Sequence, residues 1–271
     1  NTTYNTPAIP SVNLLYTPAK NVQIRGSYAK GYRAPALKEM YLSFIDNNHY
    51  IIGNSNLTAE KSNHVQLSGS YQVYEKNTDY VQVMLTGFFN DVYNGISLVS
   101  LDPTDPTSIR YTYNNLSRQQ NTVGNLQVDG QYSNFHWQLG YSHNFTFAQE
   151  NLNDAYNFGE ATATVQYAWK KTGLNFNAFY KYNGKQPNIS NGVTGAEING
   201  IRNAYSMLDG SVEKKFFNHK MQIIAGVKNI LNVRRLPVNG VVLTTGGHGN
   251  SGGSAIFMPR SLYTSVNLNI D

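Results

Sequence analysis

Apolar and polar residues alternate with a period of two through most of this chain, the mark of strands with one apolar and one polar face. Val22, Ile24 and Tyr28 share one phase while Gln23, Arg25 and Ser27 share the other. Val65, Leu67, Tyr71 and Val73 alternate in the same way with His64, Gln66, Ser68, Ser70 and Gln72. The pattern returns in Val81, Val83, Leu85 and Phe89, in the run Trp137, Leu139, Tyr141, His143 and Phe145, and in Ala161, Ala163, Val165, Tyr167 and Trp169. It closes with Leu174 to Tyr182 and with Leu262, Thr264, Val266, Leu268 and Ile270. These phases predict 11 strands, over 9–16, 22–30, 62–74, 80–100, 110–131, 137–145, 161–170, 174–182, 205–213, 221–229 and 261–270, with a bulge expected near Asn114 and Asn115.

The connections carry the next step. Short ones fall near residues 18, 76, 133, 172 and 218, and long ones near 45, 105, 152, 193 and 245, in strict alternation. A soluble up-and-down barrel or sandwich gives no reason for every long loop to lie at one end. An outer-membrane barrel does, with short periplasmic turns and long extracellular loops, and aromatic residues clustered at the strand ends fit its girdles. The fold class is therefore all-β, a transmembrane antiparallel β-barrel. Bacterial single-chain barrels have even strand numbers, so an odd count predicts part of a larger barrel; alone it would leave two unpaired edges in lipid.

Composition sharpens this. Charged residues are 14% of the chain, against about 25% in soluble proteins. Aromatics are abundant, with Tyr 20, Phe 12 and Trp 2. The net charge of +5 is scattered without a basic stripe, which argues against a nucleic-acid partner. With Cys 0 there is neither a disulfide framework nor thiol chemistry. No apolar run approaches the roughly 18 residues of a spanning helix, and NTTYNTPAIP does not read as a signal peptide, so any targeting segment is expected outside this chain.

The longest non-periodic insert, Ser27 to Leu57, holds two short boxes: Tyr32, Arg33, Ala34 and Pro35, then Asn54, Ser55, Asn56 and Leu57. Together with SVNLLYTPAKNVQIRGSYAKG before them, LTGFFNDVYNGI, IIAGVKNILNV and the closing PRSLYTSVNLNI, they resemble TonB-dependent outer-membrane receptors, which pair a Phe/Tyr-Arg-Ala-Pro box with an Asn-Pro-Asn-Leu-type box. The closing pattern and the GN-x-x-L form are most similar to Bacteroidetes members. The resemblance implies a 22-stranded barrel of which this is the C-terminal half. It also implies an N-terminal plug and TonB box not present in these residues, and a location in the Gram-negative outer membrane. Its implied partners are the TonB-ExbB-ExbD complex, outer-membrane lipid and lipopolysaccharide, and a surface lipoprotein. Ser55 departs from the proline of the second box, and the chain ends NLNID rather than on an aromatic residue.

The same resemblance implies active import of a scarce, bulky nutrient. Haem and a ferric siderophore stand first, cobalamin next, each as transported ligand, with no resident cofactor required. Haem receptors of this type place an axial histidine between the boxes, which here is His49, a donor suited to haem iron. Tyr32, Tyr41 and Tyr50 are candidate stacking residues, and His64 is expected to face the lumen near the outer rim, in a wall whose lumen face includes Arg25, Gln66, Gln82 and Thr164. His248 sits in TTGGHGNSGGS, which matches G-x-G-x-x-G but lacks the strand and helix of a nucleotide site, and is expected to be a loop or lid. Asp102 with Asp105, and Glu150 with Asp154, lack calcium-loop spacing. No nucleophile, base and orienter set supports the alternative of a barrel enzyme, nor is there a sign of an adhesin.

Overall fold

The computed structural model describes residues 7–102, 108–148, 155–192, 195–217, 220–236, 238–239 and 255–268. One antiparallel meander of 11 strands forms the wall, each strand hydrogen-bonded to the next in sequence. They are β1 (Ser11–Ala19), β2 (Val22–Arg33), β3 (Glu60–Lys76), β4 (Asp79–Ser100), β5 (Arg110–Tyr132), β6 (Phe135–Ala148), β7 (Ala155–Trp169), β8 (Leu174–Asn183), β9 (Tyr205–Phe216), β10 (Met221–Lys228) and β11 (Ser261–Leu268). Turns of two residues join β1 to β2, β3 to β4 and β5 to β6. Asn77 and Ser133 meet the twist of their hairpins with φ of 55° and 54°.

Register locks the apolar phases into continuous rows. One row runs Ile24, Gly69, Leu85, Leu126, Tyr141, Ala161, Tyr182 and Ser206 across eight strands. Leu67 and Leu85 on this outer face are each 61% exposed. The buried apolar side chains among the described residues are few: Met40, Leu57, Val99, Leu116, Val123 and Leu236. A soluble sheet would invert that arrangement; here the apolar face is the outside, where a bilayer solvates it. From Trp137 to Phe145 the strand is about 27 Å long, which a tilt of about 40° turns into a height of about 20 Å, most of the roughly 25 Å apolar band of an outer-membrane wall.

Four sequence expectations change. No bulge occurs at Asn114 and Asn115: β4 and β5 keep one register from Tyr80 opposite Gln131 to Ser100 opposite Tyr111. The irregularities lie instead between Tyr16 and Ala19 and between Gln72 and Tyr74, the second turning both Val73 (52% exposed) and Tyr74 (42%) outward. The insert after β2 is also structured. β2 runs on to Arg33, a short helix α1 covers Leu37–Tyr41, and Ser43–Ile45 pairs with Tyr50–Ile52. The expected polar loop from 183 to 202 holds a further hairpin, Gln186–Gly192 with Gly195–Arg202, and β7 already begins at Ala155.

Candidate functional site

At the end of the wall that bears the long loops, Arg33 closes β2 with a double fork. Its Nε and Nη2 donate to the two oxygens of Glu60 at 2.6 and 2.7 Å, and its Nη1 donates to both oxygens of Glu39 at 3.0 and 2.9 Å. Only a planar guanidinium can serve two carboxylates this way. The acids have further work. Glu39 accepts the Ala36 N–H at 2.7 Å, which starts α1 in the manner of half a capping box, and Glu60 accepts the Ile96 N–H of β4 at 2.5 Å. Arg33 thus ties the end of β2, the start of β3 and the helix into one knot.

Both Arg33 and Glu60 are terminal strand residues above the apolar band. The Arg33 fork, aided by the Ile96 N–H and opposed by burial, holds the Glu60 carboxyl below its ordinary value of 4.5. A depressed acid stabilises fully above its unfolded value and loses that contribution as pH falls through the lower folded one. Loop amides should therefore keep their hydrogen-exchange protection, corrected for intrinsic rate, at about pH 5 and lose it progressively only as the pH falls below the ordinary value of 4.5. Loss already between about pH 6 and 5 would contradict the knot.

The second box is the other half of the fastening. Gly53 donates to the Leu42 carbonyl at 2.7 Å and packs so closely on α1 that a Cβ there would lie 2.6 Å from backbone atoms of Met40 and Tyr41. Asn54 N–H donates to the Glu39 carbonyl at 2.9 Å, Asn54 Nδ2 donates to the Tyr113 carbonyl at 3.0 Å, and Asn54 Oδ1 accepts the Asn56 N–H at 2.9 Å. Leu57 is 2% exposed. Asn115 answers from β5, accepting the Thr58 N–H at 2.8 Å and donating to the Thr58 and Asn94 carbonyls at 2.9 and 2.7 Å. The polarity that suggested a bulge in the sequence is used here to hold a loop.

Between the boxes, Tyr50–Ile52 also pairs in parallel with Arg110–Thr112, and Arg110 lies 5.3 Å over the Tyr50 ring. His49 sits at the tip of the hairpin, stacked on Phe44 at 5.0 Å, with Nδ1 2.9 and 3.0 Å from the oxygens of Asp46. The Asn48 N–H, and after it the His49 ring, keep the Asp46 carboxyl below its ordinary value. An ionised carboxylate can only accept, so Nδ1 donates to Asp46, and in the neutral ring the lone pair is then on Nε2.

The other candidates are spread out. Tyr41 ends α1 with 62% exposure. Tyr32 lies opposite Lys61 on the same outward phase as Tyr28, so the sheet separates it from His64. His64 falls on the inward phase and its ring is 5.9 Å from Phe88. Arg25, Gln66, Gln82 and Thr164 share that inward phase. His248 lies outside the described residues, as do Asp105, Glu150 and Asp154, while Asp102 is engaged by Arg110 at 3.4 Å. Among the described residues no group of three or more His, Asp or Glu side chains could hold a metal ion.

The family model described as "TonB dependent receptor-like, beta-barrel" matches residues 1–230. The chain belongs to that receptor family. No curated protein matches it. Among solved structures, this receptor wall is similar to the copper transporter OprC, with a TM-score of 0.69 and 13% identity over 95% of this chain and 38% of that one. It is likewise similar to the FrpB iron transporter from Neisseria meningitidis, with a TM-score of 0.65 and 15% identity over 96% and 38%. Against the pyoverdine outer-membrane receptor FpvA from Pseudomonas aeruginosa the values are 0.64, 15%, 97% and 36%. At these identities the likeness is one of fold, and the chain spans well under half the length of each structure. The family is one of outer-membrane transport receptors, not enzymes, and the wall described above is an outer-membrane wall.

Two further receptor-like stretches also meet. After β10, Asn229 is 3% exposed and donates through Nδ2 to the Val233 and Met258 carbonyls, both at 2.8 Å, while its N–H reaches Asp209 at 2.7 Å. Arg260, just before β11, donates through Nε to the Ile230 carbonyl at 2.9 Å, and its N–H reaches Asn232 at 3.2 Å. The NILNV and PR segments of this receptor are thus the two sides of one loop base.

Proposed function

We propose that this chain is the C-terminal half of the barrel of a TonB-dependent importer for a scarce iron-bearing compound, with haem the first cargo to test, a ferric siderophore the second and cobalamin the third. The observation that carries the reading is His49: an imidazole at the tip of a fastened extracellular hairpin, its tautomer set by Asp46, with Tyr50 next to it. A carboxylate behind a histidine is the arrangement that raises the basicity of a metal-ligating nitrogen. Tyr41 and Tyr50 would offer aromatic surface to a flat or aryl-bearing cargo, and the inward-facing His64, Arg25, Gln66 and Thr164 a polar passage. In the whole receptor the import step would need an N-terminal plug within the lumen and the TonB-ExbB-ExbD complex to move it. Lipopolysaccharide and outer-membrane lipid would surround the wall, with a surface lipoprotein as an accessory partner.

The test is a haem titration of the full-length receptor in detergent, followed by the Soret band. A shifted band in wild type, lost in His49→Ala and weakened about 10–100-fold in Asp46→Asn, is the expected result. Absence of any shift of the haem Soret band in wild type removes haem and moves a ferric siderophore to the front.

A further inference from the structure

The outer face of β9 and β10 carries a depression rather than the usual relief of side chains. Gly210, Val212, Ala225 and Val227 are cross-strand neighbours there, and Thr264 and Leu262 follow on β11. The small residues Gly210, Ala225 and Thr264 form its floor; Phe176 of β8, Ile230 and Leu262 form its walls, and the cavity measures about 590 Å³. Ile230 reaches back over the sheet, its Cδ1 3.4 Å from where a Cβ on Gly210 would stand. Because β9 and β10 have a paired strand on both sides, this floor does not depend on what lies beyond β11.

The rim above the depression is cationic. Arg260 is on the outward phase, two positions above Leu262, and its guanidinium rests on the carbonyl of Ile230, the residue that walls the cavity. Arg234 is held at the same loop base, since Asn232 Oδ1 accepts both the Arg234 Nε–H at 3.1 Å and the Arg260 backbone N–H at 3.2 Å. Both arginines are exposed, and among the described residues no carboxylate forms an ion pair with either. Their ties are to neutral oxygens, which fix their positions, and no carboxylate among the described residues neutralises their charge. Next to them Met258 and Leu262 are 78% and 82% exposed. An apolar slot in the membrane-facing surface, topped on its extracellular side by two unneutralised guanidinium groups, is complementary to a lipid with acyl chains below and phosphate above.

We propose that this face is a specific site for the phosphorylated glycolipid of the outer leaflet, lipid A. An acyl chain would lie over Gly210, Ala225 and Thr264, and a glucosamine phosphate would be held by Arg234 and Arg260. The proposal rests on the family assignment and not on the cargo, so the haem titration can fail without touching it.

The test is native mass spectrometry of the full-length receptor in a mild detergent, delipidated and then titrated with bis-phosphorylated lipid A, dephosphorylated lipid A or phosphatidylethanolamine. One bis-phosphorylated lipid A per receptor is expected, with the other two lipids bound at least about tenfold more weakly. Arg234→Ala, which leaves the Arg260 contact with Ile230 in place, and Ala225→Phe, which fills the slot from its floor, should each cut binding about tenfold. Unheated gel mobility identifies variants that remain folded, and Arg234→Gln serves in place of Arg234→Ala if that variant fails this check. Equal binding of all three lipids, or undiminished binding of lipid A by folded Arg234 and Ala225 variants, overturns the proposal.

Discussion

Leu67→Arg is expected to destabilise the folded wall by about 2–4 kcal/mol, while Gln66→Arg, one residue away, costs about 1 kcal/mol or less. Leu67 is 61% exposed on the outward phase, opposite Gly26 and Gly87, near the middle of the apolar band. A guanidinium there must thin the bilayer or reach for its surface. Gln66 is opposite Ser27 and Phe88 on the lumen phase, where water and polar side chains can receive the same charge. Urea unfolding of the receptor in bilayers, read by gel mobility without heating, separates the two variants. Equal losses would mean that the outward phase does not face lipid.

The second large effect is local. Arg33→Ala leaves Glu39, whose side chain is 10% exposed, and Glu60, at 21%, with no shared cation. Breaking a buried pair costs about 3–5 kcal/mol; because Arg33 itself is 43% exposed, water screens part of this, and about 2–3 kcal/mol is expected. The loss should fall on the docking of the insert rather than on the wall. Exchange protection at Gly53, Asn54 and Leu57 would drop about 30- to 150-fold while unheated gel mobility stays that of wild type. Arg33→Lys should recover only part of it, since an ammonium has three donors and no planar fork with which to replace the four Arg33 contacts. Unchanged protection at these amides would show that the insert is held by its other contacts alone.

The wall was legible because lipid acts on each side chain separately. Val65, Leu67, Trp137, Leu139, Ala161 and Ala163 each announce their face by parity, and the structure keeps those phases in register across the sheet. The insert was not legible in this way. Arg33 meets Glu60 across 27 residues, and Thr58 meets Asn115 across 57, and neither pairing leaves a periodic trace. The two boxes stood out as a family resemblance, but their role as fasteners appears only when Gly53 is seen against α1 and Asn54 against Tyr113. Tyr32 was open to parity, since it continues the phase of Tyr28; the expected strand simply ended at Lys30, short of it. His49 was visible as a donor, whereas Asp46 behind it needed the turn of the hairpin.

The parallel pairing of Tyr50–Ile52 with Arg110–Thr112 sets an order of events. The insert cannot finish docking until β3, β4 and β5 have been threaded, because Asn54 waits for a carbonyl 59 residues downstream. Closing a gap of that length from an open chain would cost about 3–4 kcal/mol in entropy. Once the three strands are paired, most of that cost has already been met by the wall. The surface that would meet the cargo is therefore the last part of this region to mature. A slip of one residue between β4 and β5 would leave the strands paired yet present Tyr113 and Asn115 on the wrong side of the sheet, giving a receptor that inserts normally and has no fastened loop.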